Sequence, residues 1–175
     1  SILKSDFLVF KPNFEYMRKL YVNGLEKKNS SKAMIKRASD ICSNCINLIN
    51  NIMIKEALMR NINLIVGGYI SGQVPKGSCI MKLHLNTLKC FAEIREKKRT
   101  TNKGYGPKSS DFSRFTNGQV INICNPFLAV KYNEGEILNS LGKINWKRPK
   151  DTGMHSSNCR INDLGILNHQ KKYGF

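Results

Sequence analysis

Three cysteines constrain the fold of this chain more than any other feature of its sequence. Cys42 and Cys45 form a Cys-x-x-Cys pair, and Cys159 follows far along the chain. The spacing of the pair allows both thiolates to bind one metal ion, or to form a redox pair. The third thiolate completes such a site only if the fold returns residue 159 to the pair. His155 is the candidate for a fourth ligand, because structural zinc sites use four protein ligands.

The composition indicates a folded, strongly basic protein. Its 175 residues suit one domain with an ordinary core, and 41% of them are hydrophobic. The net charge of +17 predicts attraction to polyanions, of which nucleic acid is the commonest, although a bias toward Asn, Ile and Lys would also produce it. These residues contain neither the pattern of a signal peptide nor a long apolar run, so the six cysteines predict a reducing, cytoplasmic location.

The hydrophobic pattern predicts alternating strands and helices. A strand that runs into Gly67-Gly68 is typical of open α/β sheets, which bind ligands beyond the carboxyl ends of their strands. The order of elements predicts a doubly wound α/β domain, with a mainly parallel sheet and helices on both faces. The predicted strands are 7–10, 62–66 and 120–124, and the predicted helices are 13–28, 31 or 39 to 60, 80–99, 132–141 and 160–173.

Two basic stretches contain interleaved aromatic residues. Such a composition suits RNA binding, because the cations can contact the backbone and the aromatic rings can stack on the bases. Residues 100–114, rich in Gly, Ser, Thr, Lys and Pro, are predicted to form a flexible basic loop. This loop is either a solvated linker or a clamp on a phosphate backbone. The candidate nucleic-acid-binding residues are Lys97, Lys98, Arg99, Lys103, Lys147 and Arg148.

The other candidate side chains are interpreted as structural. Cys124 falls inside a predicted strand and is expected in the core, and His84 is expected at the surface. Asp163 and His169 lie six residues apart on a predicted helix and do not share one face, so they are not predicted to form an acid–base pair. No catalytic residue is assigned.

The order of these motifs resembles the second half of PP-loop ATP pyrophosphatases, the adenine nucleotide alpha-hydrolase-like superfamily. Two segments carry the likeness. Residues 38–73 contain the Cys-x-x-Cys and the glycine-rich residues 67–73, here called the glycine turn. Residues 118–175 contain a strand followed by Asn-Pro-Phe and the segment around Cys159. It is strongest to tRNA 2-thiolation enzymes, whose three cysteines hold an iron–sulfur cluster. Residues 151–175 also resemble PP-loop proteins labelled phosphoadenosine phosphosulfate reductase-like, and PP-loop sugar amidotransferases are a further relative. The family's phosphate loop, Ser-Gly-Gly-x-Asp-Ser, is expected N-terminal to Ser1, which would make 1–175 the C-terminal portion of a PP-loop domain rather than a single complete one.

The resemblance implies an ATP-dependent transferase. Such enzymes adenylate a carbonyl oxygen and release pyrophosphate, after which sulfide or ammonia displaces AMP. Sulfur transfer to RNA is the main hypothesis. A PP-loop amidotransferase acting on a sugar or other small-molecule acceptor, and a non-catalytic metal-stabilised nucleic-acid-binding module, stay open as alternatives. A homodimer and the absence of a membrane span are further expectations. The implied site residues are Gly67, Gly68, Gly72 and Gln73 beside ATP with Mg²⁺, and Cys42, Cys45, Cys159 and His155 around an iron–sulfur cluster or Zn²⁺.

Overall fold

The chain folds as a mixed α/β structure. A computed structural model describes residues 6–26, 39–69, 74, 76–97, 105–115, 118–131, 133–147 and 159–174. Within these ranges there are five α-helices and one three-stranded sheet. The helices are α1 (Phe14–Glu26), α2 (Asp40–Met59), α3 (Leu85–Lys97), α4 (Glu134–Gly142) and α5 (Arg160–Tyr173), and the strands are β1 (Leu64–Val66), β2 (Ile80–His84) and β3 (Val120–Cys124).

The sheet has the strand order β1-β3-β2 and is mixed in direction. β1 runs parallel to β3, with Ile65 opposite Ile123, whereas β2 runs antiparallel to β3. The carboxyl ends of β1 and β3 therefore lie side by side. β1 is an edge strand within the described residues, and the side chain of Val66 is 63% exposed. Three strands are too few to decide between a doubly wound sheet and other α/β arrangements, so the doubly wound fold stays a prediction.

One apolar cluster, here called the sheet core, joins the sheet to α2 and α3. Ile65 and Ile121 project from the strands, and Phe112 covers the cluster from a 3₁₀ helix, Ser109–Phe112. Removing each such side chain from water contributes about 1.5–3 kcal/mol, so this cluster is the main source of stability in the described structure. Its buried members are Ile54, Ala57, Leu58, Ile65, Leu85, Ala92, Phe112 and Ile121.

A second packed region, here called the helical joint, consists of α1, the first turns of α2, and α5. Gly24 of α1 lets the helices approach closely, because a Cβ there would lie 3.2 Å from the Cα of Ile41. Leu20, Ile41 and Leu48 are the buried apolar residues of this region. Its other contacts are largely polar.

The predicted strand at 7–10 is wrong. These residues form no strand, and Phe7 is 90% exposed. Leu8 and Phe10 instead line an apolar groove of about 380 Å³ between this segment, α2 and β1. The Phe10 ring also meets the edge of Tyr105, with ring centroids 5.3 Å apart. An apolar run becomes a strand only when a neighbouring strand satisfies its backbone, and no described strand pairs with these residues.

The predicted helix at 80–99 is half wrong. Residues Ile80–His84 form β2, and the helix starts only at Leu85. Short apolar runs fit either structure, and here pairing with β3 decides the outcome. Residues 105–115 make tertiary contacts where a basic loop was predicted: Tyr105 accepts a hydrogen bond from the Asn13 backbone at 2.8 Å, and Arg95 donates to the Pro107 carbonyl at 2.9 Å. Residues 100–104 lie outside the described ranges.

The remaining described helices follow the sequence prediction. α2 starts after Ser39, whose hydroxyl accepts a hydrogen bond from the Cys42 backbone at 3.1 Å, as an N-cap does. α4 carries Glu134 and Glu136 in its first turn, and α5 covers the predicted range and ends at Gly174 in the left-handed conformation. Among the described helices, none combines the length and apolar character that crossing a bilayer requires.

Candidate thiol site at the helical joint

The fold brings the start of α5, which carries Cys159, to the start of α2, which carries the Cys-x-x-Cys. Cys42 and Cys45 occupy the first two turns of α2, and Cys159 is the N-cap residue of α5. The two helix starts belong to the same helical joint. We call Cys42, Cys45 and Cys159 the thiol cluster. All three are free thiols: the first two are half-buried and Cys159 is exposed.

The thiols of this cluster influence one another electrostatically. Burial raises the pKa of Cys42, and the charges of Cys45 and Cys159 raise it further. Burial also raises the pKa of Cys45, with a second contribution from Cys159. Because Coulomb interactions decline with distance and are screened by water, such coupling requires sulfur atoms that lie near one another.

Two tyrosines border the thiol cluster. Burial raises the pKa of Tyr21 on α1, and so do the charges of Cys45 and Cys159. Burial and the charge of Cys42 raise the pKa of Tyr69, which lies in the turn after β1. Tyr69, which follows Gly67 and Gly68, therefore lies in the same region of the molecule as Cys42.

The raised pKa values indicate what the thiol cluster can do. Redox-active Cys-x-x-Cys pairs have lowered thiol pKa values, because their chemistry needs the thiolate. For Cys42 and Cys45 the protonated thiol is favoured instead, and neighbouring thiolates would repel one another. A soft metal cation removes that repulsion and deprotonates its ligands, so the donor set fits zinc or iron.

No group of three or more His, Cys, Asp and Glu side chains in the described part of the chain is gathered tightly enough to hold a metal ion. The thiol cluster therefore stands as a set of neighbours rather than a formed metal site. The predicted fourth ligand, His155, lies outside the described residues.

Gly67 in the glycine turn has a clear structural reason to be glycine. A Cβ at Gly67 would lie 2.3 Å from the Oδ1 atom of Asn125, whereas Gly68 has open space around it. The Gly67 backbone also donates to the Cys124 carbonyl at 2.8 Å, which closes the turn against the end of β3. Of the other predicted nucleotide contacts, Gly72 and Gln73 lie outside the described residues.

Asn125 is a polar core residue that sequence reasoning missed. It is 0% exposed, and its Nδ2 atom donates to the Ser78 carbonyl at 2.8 Å. Its Oδ1 atom has no hydrogen-bond partner among the described residues and faces Gly67. The Asn-Pro dipeptide after β3 was the available signal, but it was interpreted only as a strand end.

A buried acid–base contact was also missed. His169 was not expected to pair with Asp163, and it pairs instead with Asp40, with 3.1 Å between Nε2 and Oδ2. The two residues are 129 positions apart in sequence, so no local pattern announces the contact. It joins α5 to the first turn of α2, next to the thiol cluster.

The predicted nucleic-acid-binding residues are only partly described. Lys97 at the end of α3 and Lys147 after α4 are both exposed, as an RNA contact requires. Lys98, Arg99, Lys103 and Arg148 lie outside the described residues.

Compared with protein-family models, curated proteins and solved structures, the chain matches none of them. The PP-loop resemblance therefore stays a prediction from the residues themselves.

Proposed function

We propose that this chain acts as a PP-loop-type, ATP-dependent transferase that delivers sulfur to a carbonyl group, with RNA as the acceptor. The observation that carries the proposal is the thiol cluster. Cys42 and Cys159 come from distant parts of the sequence, and their charges interact at the starts of two helices. A protein that used its cysteines only as small apolar residues would have no reason to assemble three of them beside one another.

The three thiols supply a ligand set that suits sulfur chemistry. An iron–sulfur cluster held by three thiolates would supply an iron without a protein ligand, at which sulfide could bind. In this proposal Cys42, Cys45 and Cys159 hold the group, with His155 as the alternative fourth ligand if the metal is Zn²⁺. Tyr69 is protonated at neutral pH, as tyrosine ordinarily is, and its raised pKa preserves that state, so its hydroxyl can donate a hydrogen bond beside the cluster.

The proposed reaction has two steps. ATP, bound with Mg²⁺, transfers AMP to the carbonyl oxygen of the acceptor, and pyrophosphate leaves. Sulfide then attacks the same carbon, and AMP departs with the former carbonyl oxygen, so that a thiocarbonyl replaces the carbonyl. The glycine turn, from Gly67 to Gln73, is proposed to border the nucleotide, where residues without side chains let the backbone approach it.

The charge of the chain supports RNA as the acceptor. A net charge of +17 attracts a phosphate backbone, and Lys97 and Lys147 are exposed to meet it. Six free cysteines are consistent with a reducing compartment, and we therefore propose a cytoplasmic location.

The test is the metal and sulfide content of protein purified without oxygen, together with its visible absorption spectrum. We expect iron with matching sulfide in the wild-type protein, and loss of both in Cys42→Ser and Cys159→Ser. Cys90→Ser is the matched control, because Cys90 is an exposed thiol on α3, outside the thiol cluster. This control should keep iron and sulfide at the wild-type level.

Three outcomes would contradict the proposal. One zinc per chain would argue against sulfur delivery and favour the amidotransferase or the nucleic-acid-binding module. Equal metal content in all variants would show that the thiol cluster is not the ligand set. A wild-type protein without metal would show that the thiol cluster holds no metal, and the proposed route of sulfur delivery would fail.

A further inference from the structure

One face of the three-stranded sheet is open to solvent. Successive side chains of a strand point to opposite faces of the sheet. Ile65, Leu83 and Ile121 pack in the sheet core, so the alternate positions of their strands point the other way. We call that side the open sheet face. Its residues are Leu64, Val66, Ile80, Lys82, His84, Val120, Asn122 and Cys124.

The outer strands of the open sheet face are well exposed. Val66 and Ile80 are each 63% exposed, and Lys82 and His84 are exposed as well. Parallel strands are normally covered on both faces. β1 and β3 pair in parallel, yet the described helices that cover them pack on the sheet core side. An uncovered face with exposed apolar side chains is expected where a partner binds.

The strand register arranges these side chains in rows. The first row lies at the carboxyl ends of β1 and β3 and is apolar: Val66, Cys124 and Ile80. In the next rows Lys82 lies beside Asn122, and His84 beside Val120. Successive rows are about 7 Å apart, because each row is two residues further along a strand. Apolar and cationic side chains at this spacing can contact a base and a phosphate of one strand.

Charge decides which partner the open sheet face fits. Lys82 lies on it, and none of its side chains is acidic. The chain carries a net charge of +17, so a second copy is repelled whereas a polyanion is attracted. His84 adds an imidazole ring, which can stack on a base. A duplex hides the faces of its bases, so these side chains fit a single strand better than a double helix.

We propose that the open sheet face binds single-stranded RNA, with bases against the apolar row and His84 and with a phosphate at Lys82. The inference rests on the proposed function for its choice of RNA, and it names the surface that holds the acceptor strand. It requires neither metal nor ATP. Lys97 is not part of this surface, because it ends α3, which packs against the opposite face of the sheet.

The experiment measures binding of a fluorescein-labelled oligouridine of about 12 nucleotides by fluorescence anisotropy, without metal or ATP, between about 50 and 200 mM NaCl. Lys82→Glu should raise the Kd and reduce the slope of log Kd against log salt by about 0.7, the contribution of one phosphate contact on a single strand. Lys19→Glu is the matched control. It makes the same change in net charge at an exposed position of α1, and it should keep the wild-type slope.

Two further variants test the contacts with bases. His84→Ala should weaken binding about 5-fold or more, as the loss of a ring that stacks on a base does, and His84→Phe should restore most of the affinity. Ile80→Ser should weaken binding without changing the salt slope, because it removes no charge. Ile49→Ser changes an exposed isoleucine on α2 in the same way and should bind like the wild type.

Four outcomes would overturn the inference. Equal effects of Lys82→Glu and Lys19→Glu would show that net charge alone accounts for binding. Wild-type affinity in His84→Ala and Ile80→Ser would show that no base contacts this face. Tighter binding of an adenine–uracil duplex of the same length would exclude a surface that reads unpaired bases. A protein that binds no RNA, and whose sedimentation changes in Ile80→Ser, would use this face between its own copies.

The same measurements distinguish this inference from the proposed function. If Lys82→Glu reduces RNA binding in a protein that contains no iron or sulfide, the sulfur-transfer proposal fails and the RNA surface stands. If the protein contains iron and sulfide but its RNA binding is unaffected by Lys82→Glu, the RNA surface fails and the metal proposal stands.

Discussion

The sheet core and the helical joint are built on different physical principles. The sheet core is a set of apolar side chains around Ile65, Ile121 and Phe112, and it is held by burial that has no preferred direction. The helical joint buries few apolar residues and relies on Ser39, Asp40 and His169, which are buried polar groups with directional contacts. Apolar clusters tolerate repacking, whereas hydrogen bonds fix one arrangement. The candidate thiol site lies in the helical joint, where hydrogen bonds fix one arrangement. It does not lie in the sheet core, which supplies most of the stability.

The largest expected effect comes from Ile121→Ala in the sheet core. Ile121 is buried on the central strand, so its truncation leaves a cavity, and we expect the free energy of unfolding to fall by about 3 kcal/mol. Urea unfolding followed by circular dichroism measures the loss. Val120→Ala is the control, because Val120 is only half-buried on the same strand and should cost clearly less. Equal losses would mean that the sheet core is not the main source of stability.

Gly165→Ala in the helical joint is expected to change the stability less. It should destabilise the protein, whereas glycine-to-alanine changes in helices usually stabilise it. Replacing a helical glycine by alanine normally stabilises a protein by about 0.5–1 kcal/mol. Here the new Cβ would meet Ser39 at 2.6 Å, and we expect a loss of about 1–3 kcal/mol from overpacking. Gly142→Ala at the end of α4 meets nothing within 4 Å and is the matched control. Stabilisation by both changes, measured as the shift in urea midpoint, would show that α5 is not seated as described.

The smallest expected effect is a local response to acid beside the sheet core. Glu96 accepts hydrogen bonds from the backbone and hydroxyl of Ser109 at 2.9 and 2.8 Å. The backbone contact lowers the pKa of Glu96 most, followed by the hydroxyl contact. A lowered folded pKa means that the contact stabilises the fold above the unfolded value, about 4.3, and is lost as the pH falls through the folded value. We expect amide exchange at Ser109, expressed relative to the intrinsic rate at each pH, to accelerate in that range.

Glu96→Gln tests the cause of this response. The amide keeps an acceptor for Ser109 but does not titrate, so the acceleration in acid should disappear. Glu93→Gln, on the same helix, should behave like the wild type. An unchanged acid response in Glu96→Gln would assign it to another group.

Local signals were sufficient to predict several elements. A serine before an amphipathic run predicts the start of α2, although the sequence left Ser31 and Ser39 open, and Glu134 and Glu136 predict the first turn of α4. The β2 strand could not be separated from a helix, because the apolar run at 80–83 fits both and only its pairing with β3 decides. The prediction of a strand at 7–10 was wrong for the opposite reason: the pattern there is apolar, but no described strand pairs with it.

The candidate site was predictable in its residue types but not in its surroundings. Cys-x-x-Cys announces a pair of ligands by spacing alone. The contact between Asp40 and His169 depends on the packing of α5 against α2, and nothing in either local sequence encodes it. Asn125 was missed for a similar reason. Its burial depends on the packing of Gly67 against the end of β3, and the two segments are distant in sequence.

The exposed edge of β1 has a consequence for how the protein behaves at high concentration. Its outer backbone is unpaired within the described residues, and Leu64 and Val66 are exposed beside it. Such an edge can pair with the same edge of another molecule and start aggregation. The charge of +17 makes the molecules repel one another, and salt shortens the range of that repulsion to about 3 Å at 1 M. Solubility should therefore fall as salt is added, and a concentrated stock should be kept at low ionic strength.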